Sequence, residues 1–237
     1  MVLCSLLNIF LGSKKKASQV AEQFLLFAGI GAVVGARLVD VFFYQSPHVW
    51  LNSPMEIFYV WEGGLSSHGA AAGVLVGLLL LTKHLRRKKL ADFTFLTALD
   101  LTVIPAALAG SFIRIGNFIN QEILGKPTDL PWGVIFLHPA DGGAIVARHP
   151  VQLYESAAYL ALFLLQLWLF KKKHFYEVPG KLSGWFLILC FGGRFFIEFF
   201  KEEQSALISS GIPFSMGQLL SIPLMLWGLY LLFRRKG

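Results

Sequence analysis

The chain has 237 residues, 55% of them hydrophobic and 15% charged, with a mean hydropathy of +0.61. Soluble domains carry about 25% charged residues, so the composition points away from a soluble protein and toward a single-domain polytopic membrane protein. The formal net charge of +7 lies in short clusters between apolar runs, which excludes a nucleic-acid-binding face.

In chain order, an apolar stub at 2–12 is too short to cross a bilayer alone, since a spanning helix needs about 20 residues. Lys14–Lys16 precede predicted spans at 21–43 and 64–82, and the tip between these two spans, from Gln45 to Glu62, has no Lys or Arg. A second basic group, Lys83 with Arg86, Arg87, Lys88 and Lys89, precedes a span at 92–113. A segment at 114–150, rich in Gly, Pro, Asp and Asn, follows and is predicted to form an extracytoplasmic loop or small cap. Spans at 151–170 and 182–200 flank Lys171–Lys173, and a last span at 214–233 leads into Arg234–Lys236. The positive-inside rule puts all four basic clusters and the C-terminus in the cytoplasm. The tips 44–62, 114–150 and 201–213 then face outward. The expected fold is an all-α bundle of six full spans plus the truncated first one.

Gly31 and Gly35 are four apart, as are Gly69, Gly73 and Gly77. This small-xxx-small spacing predicts close helix packing. Cys4 and Cys190 both sit in apolar runs and fit neither a disulfide framework nor a metal site.

Ionisable groups inside a bilayer are costly and mark functional sites. At a rise of about 1.5 Å per residue, His68 lies about 22 Å above Lys83, Arg194 about 20 Å above Lys181, and Arg37 about 22 Å above Glu22. Arg114 lies about 33 Å beyond Asp92, at the outer surface. Separate helices thus place charged groups in the outer half of one bilayer. Arg37 and Asp40, three apart, have the spacing of a local neutralising pair, and Arg194 and Glu198, four apart, also have pair spacing. Arg with Asn and Gln donors suits a phosphate, which Arg grips by bidentate charge-assisted bonds. At this depth the phosphate at hand belongs to a phospholipid head group. His68, set among Gly63-Gly64-Leu65-Ser66-Ser67 and Gly69, is a candidate base with room for a substrate beside it. The alternative is an imidazole that only packs.

Five boxes carry a family resemblance. They are Arg114 through Pro131 (RIGNFINQEILGKPTDLP), Gly63 through Gly69, Arg148 through Glu155 (RHPVQLYE), Gly193 through Phe200 (GRFFIEFF) and Ser215 through Pro223 (SMGQLLSIP). In this order, over about residues 25–235, they resemble the bacterial phosphatidylglycerol–prolipoprotein diacylglyceryl transferase family. The resemblance implies a seven-span enzyme of the bacterial inner membrane, with its active site facing the outer leaflet. That enzyme moves diacylglyceryl from phosphatidylglycerol to the lipobox cysteine of a preprolipoprotein signal peptide. It yields a thioether and glycerol 1-phosphate and opens lipoprotein maturation. No cofactor, metal or nucleic-acid partner is implied. By motif match Arg114, Asn117, Glu122 and Gly125 take the lipid-binding signature positions. His68 matches a histidine that assists thiol deprotonation, and Arg194 and Glu198 match the essential Arg and Glu of a late span.

Ile113, Cys190 and Lys201 depart from the family's usual Gly, aromatic and Arg at those positions. The family's first span, with a Tyr in a Trp-Tyr-Gly-like context, has no counterpart, so the chain is expected to begin partway through the corresponding helix. The readings that compete with the enzyme are a truncated, inactive relative and an anion- or lipid-binding membrane protein without turnover.

Overall fold

The computed structural model of the chain describes residues 1–45, 53–172, 175, 177–202 and 216–234. Among these residues seven α-helices follow in order: α1 Val2–Leu11, α2 Lys14–Val39, α3 Ser67–Arg87, α4 Phe95–Ile119, α5 Val151–Lys171, α6 Lys181–Ile197 and α7 Met216–Phe233. Among the described residues the strands form one two-stranded antiparallel ribbon, β1 Val134–Ile135 with β2 Ala147–Arg148. Among the described residues five helical stretches are long and apolar enough to cross a membrane: Lys14–Phe43, His68–Arg87, Phe95–Ile119, Val151–Lys171 and Lys181–Phe200. Val2–Leu11 and Gly217–Phe233 are shorter apolar helices. The residues just ahead of α7, and most of the predicted tip at 201–213, lie outside the described residues. The fold is the expected all-α polytopic bundle.

The chain forms two compact units, Met1–Leu101 and Thr102–Gly237, with the boundary inside α4. In the first unit, α1 stops at Gly12, whose φ of 65° supplies the left-handed C-cap that an L side chain adopts only at a cost. Ser13 then caps α2 by accepting from the Lys16 amide. Phe93, 1% exposed, packs its ring against Phe10 of α1 and Phe24 of α2. Helices α2 and α3 meet backbone to backbone, as the glycine spacing predicts. A Cβ at Gly31, Gly35, Gly69 or Gly73 would overlap the carbonyl of Gly73, Gly69, Gly35 or Gly31 respectively, and one at Gly77 would strike Phe27 O. In lipid no hydrophobic drive holds helices together, so such close van der Waals contact takes over.

In the second unit, Ser111 and Ser156 cross-link α4 to α5. Each hydroxyl donates to the other residue's carbonyl at 3.0 Å, and the two hydroxyls are 2.9 Å apart. Gln166 of α5, 0% exposed, donates to Leu182 O of α6 at 3.2 Å, and α6 meets α7 where Gly184 faces Gly228. Pro105 and Pro223 lie within α4 and α7, which membrane helices tolerate because neighbouring groups satisfy the freed backbone.

Candidate active site

Helix α4 runs through Ile119, so Arg114 and Asn117 stand on its last turns rather than in a loop beginning at residue 114. Three apart, they share a helix face, and Arg114 Nη1 donates to Asn117 Oδ1 at 3.2 Å. The chain then turns hard. Gln121 and Ile123 both take left-handed φ, 56° and 55°, which costs a non-glycine residue about 1 kcal/mol or more. Between them Glu122 folds back on the helix end. Its Oε2 accepts from Asn117 Nδ2 at 3.0 Å, its Oε1 accepts from Asn120 Nδ2 at 3.2 Å, and its carbonyl accepts from the buried Gln152 amide at 2.7 Å. The strain is thus held by bonds on both sides of the turn.

Leu124 to Thr128 forms the middle of a small backbone ladder. On one side Gly125 bridges Lys201, with Lys126 N donating to Phe200 O at 2.9 Å and Glu202 N to Leu124 O at 3.2 Å. On the other side His149 N donates to Lys126 O at 3.0 Å and Thr128 N to Ala147 O at 2.9 Å. This explains the glycine at 125. A Cβ there would overlap His149 O, lie 2.8 Å from His149 Cβ and 3.0 Å from Val151 Cγ1. The geometry gives Gly125 a close backbone approach. Arg148, 3% exposed, locks the ladder by pairing with Glu202 and donating to Gly125 O and Ala144 O.

The charges converge on Glu155, which is 1% exposed. Its Oε2 lies 2.8 Å from Arg114 Nε, an ionic contact without an aligned hydrogen bond, and its Oε1 accepts from Lys201 Nζ at 2.7 Å. Lys201 Nζ also lies 3.4 Å from Glu198 Oε2. Glu198 packs against Gly217 of α7, where a Cβ would sit 2.6 Å from its Oε1. A guanidinium has five N–H donors. Those of Arg114 not turned to Asn117 or Glu155 have no partner among the described residues. Arg194 stands within electrostatic reach of the hydrogen-bonded pair Cys190 and Tyr159, as do Arg114 and Glu155. Among the described residues the Arg194 side chain makes no hydrogen bond or ion pair. The local Arg194–Glu198 pair that i,i+4 spacing allows is therefore absent, and Glu198 turns to Lys201 instead.

The first unit holds His68 and Arg37. Arg37, 6% exposed, sends Nε to Ile57 O at 3.1 Å and Nη1 to Gly63 O at 2.9 Å and Gly64 O at 3.4 Å. Asp40 is 4.0 Å away and is held by Gln45 at 2.8 Å. Arg37 thus both clamps the Gly63–Gly64 loop and forms the local pair with Asp40. Both glycines have positive φ, 91° and 67°, and a Cβ on Gly64 would sit 2.5 Å from Asp40 Oδ2. The loop feeds Ser66, which caps α3 by accepting from Gly69 N at 3.3 Å. That cap puts His68 on the first turn of α3 with an exposed side chain.

Of the residues singled out from sequence, Arg114, Asn117, Glu122, Gly125 and Glu198 join one network, Arg194 borders it, and His68 belongs to the first unit. Sequence reasoning gave Glu155 and Lys201 no role, although the polar density of 148–155 and the lysine after Glu-Phe-Phe were visible. Among the described residues no three His, Cys, Asp or Glu side chains are arranged to hold a metal ion.

A family model described as prolipoprotein diacylglyceryl transferase matches residues 1–234. A protein of Protochlamydia amoebophila is 43% identical over 232 residues, which is 96% of this chain and 61% of its own length. One of Chlamydia caviae is 42% identical over 219 residues, 92% of this chain and 73% of its own. One of Tolumonas auensis is 42% identical over 217 residues, 92% of this chain and 80% of its own. All three relatives are named phosphatidylglycerol–prolipoprotein diacylglyceryl transferase.

Proposed function

The chain belongs to the prolipoprotein diacylglyceryl transferase family, and from that membership we propose that it transfers diacylglyceryl from phosphatidylglycerol to the lipobox cysteine of a preprolipoprotein signal peptide. The cysteine sulfur, as thiolate, attacks the diacylglyceryl carbon that bears the phosphate. A C–S bond forms, the C–O bond breaks, and glycerol 1-phosphate leaves with the electron pair. The thiol proton passes to a base, and His68 is assigned to this task because its exposed imidazole stands on the first turn of a glycine-rich helix.

The observation that carries the reading is a pre-anchored arginine with unused donors. Glu155 at Nε and Asn117 at Nη1 fix the Arg114 guanidinium, leaving its other N–H groups for a phosphate. Arg194, without a partner among the described residues, adds a second cation where the leaving phosphate gains charge. Fixed donors in a site sheltered from water stabilise such charge strongly. Asn117 and Glu122 hold the signature turn in shape, Gly125 lets the ladder close, and Glu198 reaches the same network through Lys201. The positive-inside rule, applied to the four basic clusters, supports a position for this network toward the outer leaflet of the inner membrane.

The test uses the purified chain in phosphatidylglycerol vesicles with a synthetic lipobox peptide. The expected products are glycerol phosphate and a peptide heavier by one diacylglyceryl group on its cysteine. Arg114→Lys keeps the charge and loses the fork, so kcat/KM should fall about tenfold or more, one charged hydrogen bond being worth about 1.5–3 kcal/mol. Absence of the thioether product sinks the transferase reading. A lysine variant equal to the wild type in lipid affinity and turnover sinks the arginine assignment.

A further inference from the structure

Glu155 is nearly inaccessible to solvent and carries one cation on each oxygen, Arg114 on Oε2 and Lys201 on Oε1. A buried carboxylate facing Arg114 alone would cancel that arginine's charge at close range, where little water screens it. Lys201 changes the balance. Its Nζ, on a side chain 8% exposed, reaches Glu155 at 2.7 Å and Glu198 at 3.4 Å, so one ammonium is shared by two carboxylates and removes one of their two negative charges. Without it, two guanidinium groups, Arg114 and Arg194, would face three carboxylates, Glu155, Glu198 and Glu122, a net negative charge that repels a phosphodiester; with it the charges balance. Glu122 is held by two asparagine amides beside Arg114, so its negative charge is a fixed part of that balance.

The lysine is also held in place by backbone. Lys201 pairs with Gly125 across the ladder, and its amide donates to Glu198 O at 3.2 Å. It therefore ties the end of the Arg194–Glu198 helix to the signature turn. Its side chain projects to Glu155 because strand pairing sets the direction of the Cβ.

We infer that Lys201 is a positioning residue for the phosphate clamp, acting through Glu155. By holding one oxygen of Glu155 it lets the other anchor Arg114 without cancelling it, and so sets the affinity of the clamp for an anionic head group. This rests on the transferase reading above. It goes further by assigning charge control of lipid affinity to a lysine–glutamate pair that itself touches no substrate.

The experiment measures KM for phosphatidylglycerol and kcat in mixed vesicles, together with binding to phosphatidylglycerol and to phosphatidylcholine vesicles. Lys201→Met should raise KM about ten- to a hundredfold, the range for one charge-assisted interaction. Its kcat should move by less than about threefold, since no contact made only in the transition state is lost. Lys201→Arg restores the charge and should recover most of the affinity. Lys201→Met combined with Glu155→Gln removes one charge of each sign and should bind better than Lys201→Met alone, a non-additivity expected of residues in contact. An unchanged KM in Lys201→Met, an equally defective Lys201→Arg, or a double variant worse than the single one overturns the inference. If Lys201→Met folds only together with Glu155→Gln, the same charge coupling is seen in stability. If neither folds, Lys201 is a structural residue and the inference falls. If the wild type binds phosphatidylglycerol but forms no thioether, the transferase reading fails, and selective loss of phosphatidylglycerol binding in Lys201→Met still decides the charge account.

Discussion

Replacing Gly125 by alanine puts a methyl group where the signature turn and the strand ahead of α5 approach most closely. The new Cβ overlaps His149 O and lies 2.8 Å from His149 Cβ and 3.0 Å from Val151 Cγ1, two of these atoms being backbone or next to it. No side-chain rotation relieves such a clash, so the two strands must separate. Overpacking of this kind costs about 1–3 kcal/mol. The His149–Lys126 backbone bond, at 3.0 Å, faces the same gap, and losing it costs about 1 kcal/mol more. A total near 3 kcal/mol is about a hundredfold in an equilibrium constant. The turn also carries the Lys201 pairing, so its displacement pulls Lys201 from Glu155 and loosens Arg114. Gly125→Ala should therefore lower the melting temperature in detergent and cut transfer about tenfold or more, the worth of one charged hydrogen bond. Gly116, nine residues earlier on α4, has nothing within 4 Å of its Cβ direction. Gly116→Ala should leave stability equal or raise it by about 0.5–1 kcal/mol, because alanine favours a helix. Thermal unfolding and transfer kinetics of both variants check the pair. If Gly125→Ala melts and turns over like the wild type, the close-approach reasoning is wrong.

His68→Gln should slow transfer about 10²–10⁴-fold, the usual worth of a general base, while binding to phosphatidylglycerol vesicles stays near wild type. Raising the pH toward the ordinary thiol value near 8.5 should partly rescue it, because thiolate then forms unaided; wild-type turnover at neutral pH would make His68 a packing residue. For topology, a cysteine placed at Asp141, in a background lacking Cys4 and Cys190, should be labelled by an impermeant thiol reagent from the outside of intact cells. Labelling from the cytoplasmic side alone would reverse the orientation and the outer-leaflet site with it.

The amino-acid sequence by itself determined the helices, because hydropathy over about 20 residues is a local property. It also determined the α2–α3 contact, since Gly31, Gly35, Gly69 and Gly73 recur at the spacing that puts small residues on one face. Arg114 and Asn117 were legible as neighbours for the same reason. Where several partners competed, the sequence was a poor guide. Arg37 does pair with the carboxylate three residues away, at 4.0 Å, but loop carbonyls twenty or more residues distant also take its donors, which no spacing announces. Arg194 had Glu198 one turn on, yet Lys201 claims that carboxylate. The continuation of α4 through Ile119 was masked by Gly116, Asn117 and Asn120, which weaken a helix locally. Only the tertiary structure set Glu155 between Arg114 and Lys201, the latter 46 residues further on, and pressed Gly125 against His149. Those contacts depend on how a buried carboxylate and a crowded backbone find partners across separate elements, and no local spacing encodes that.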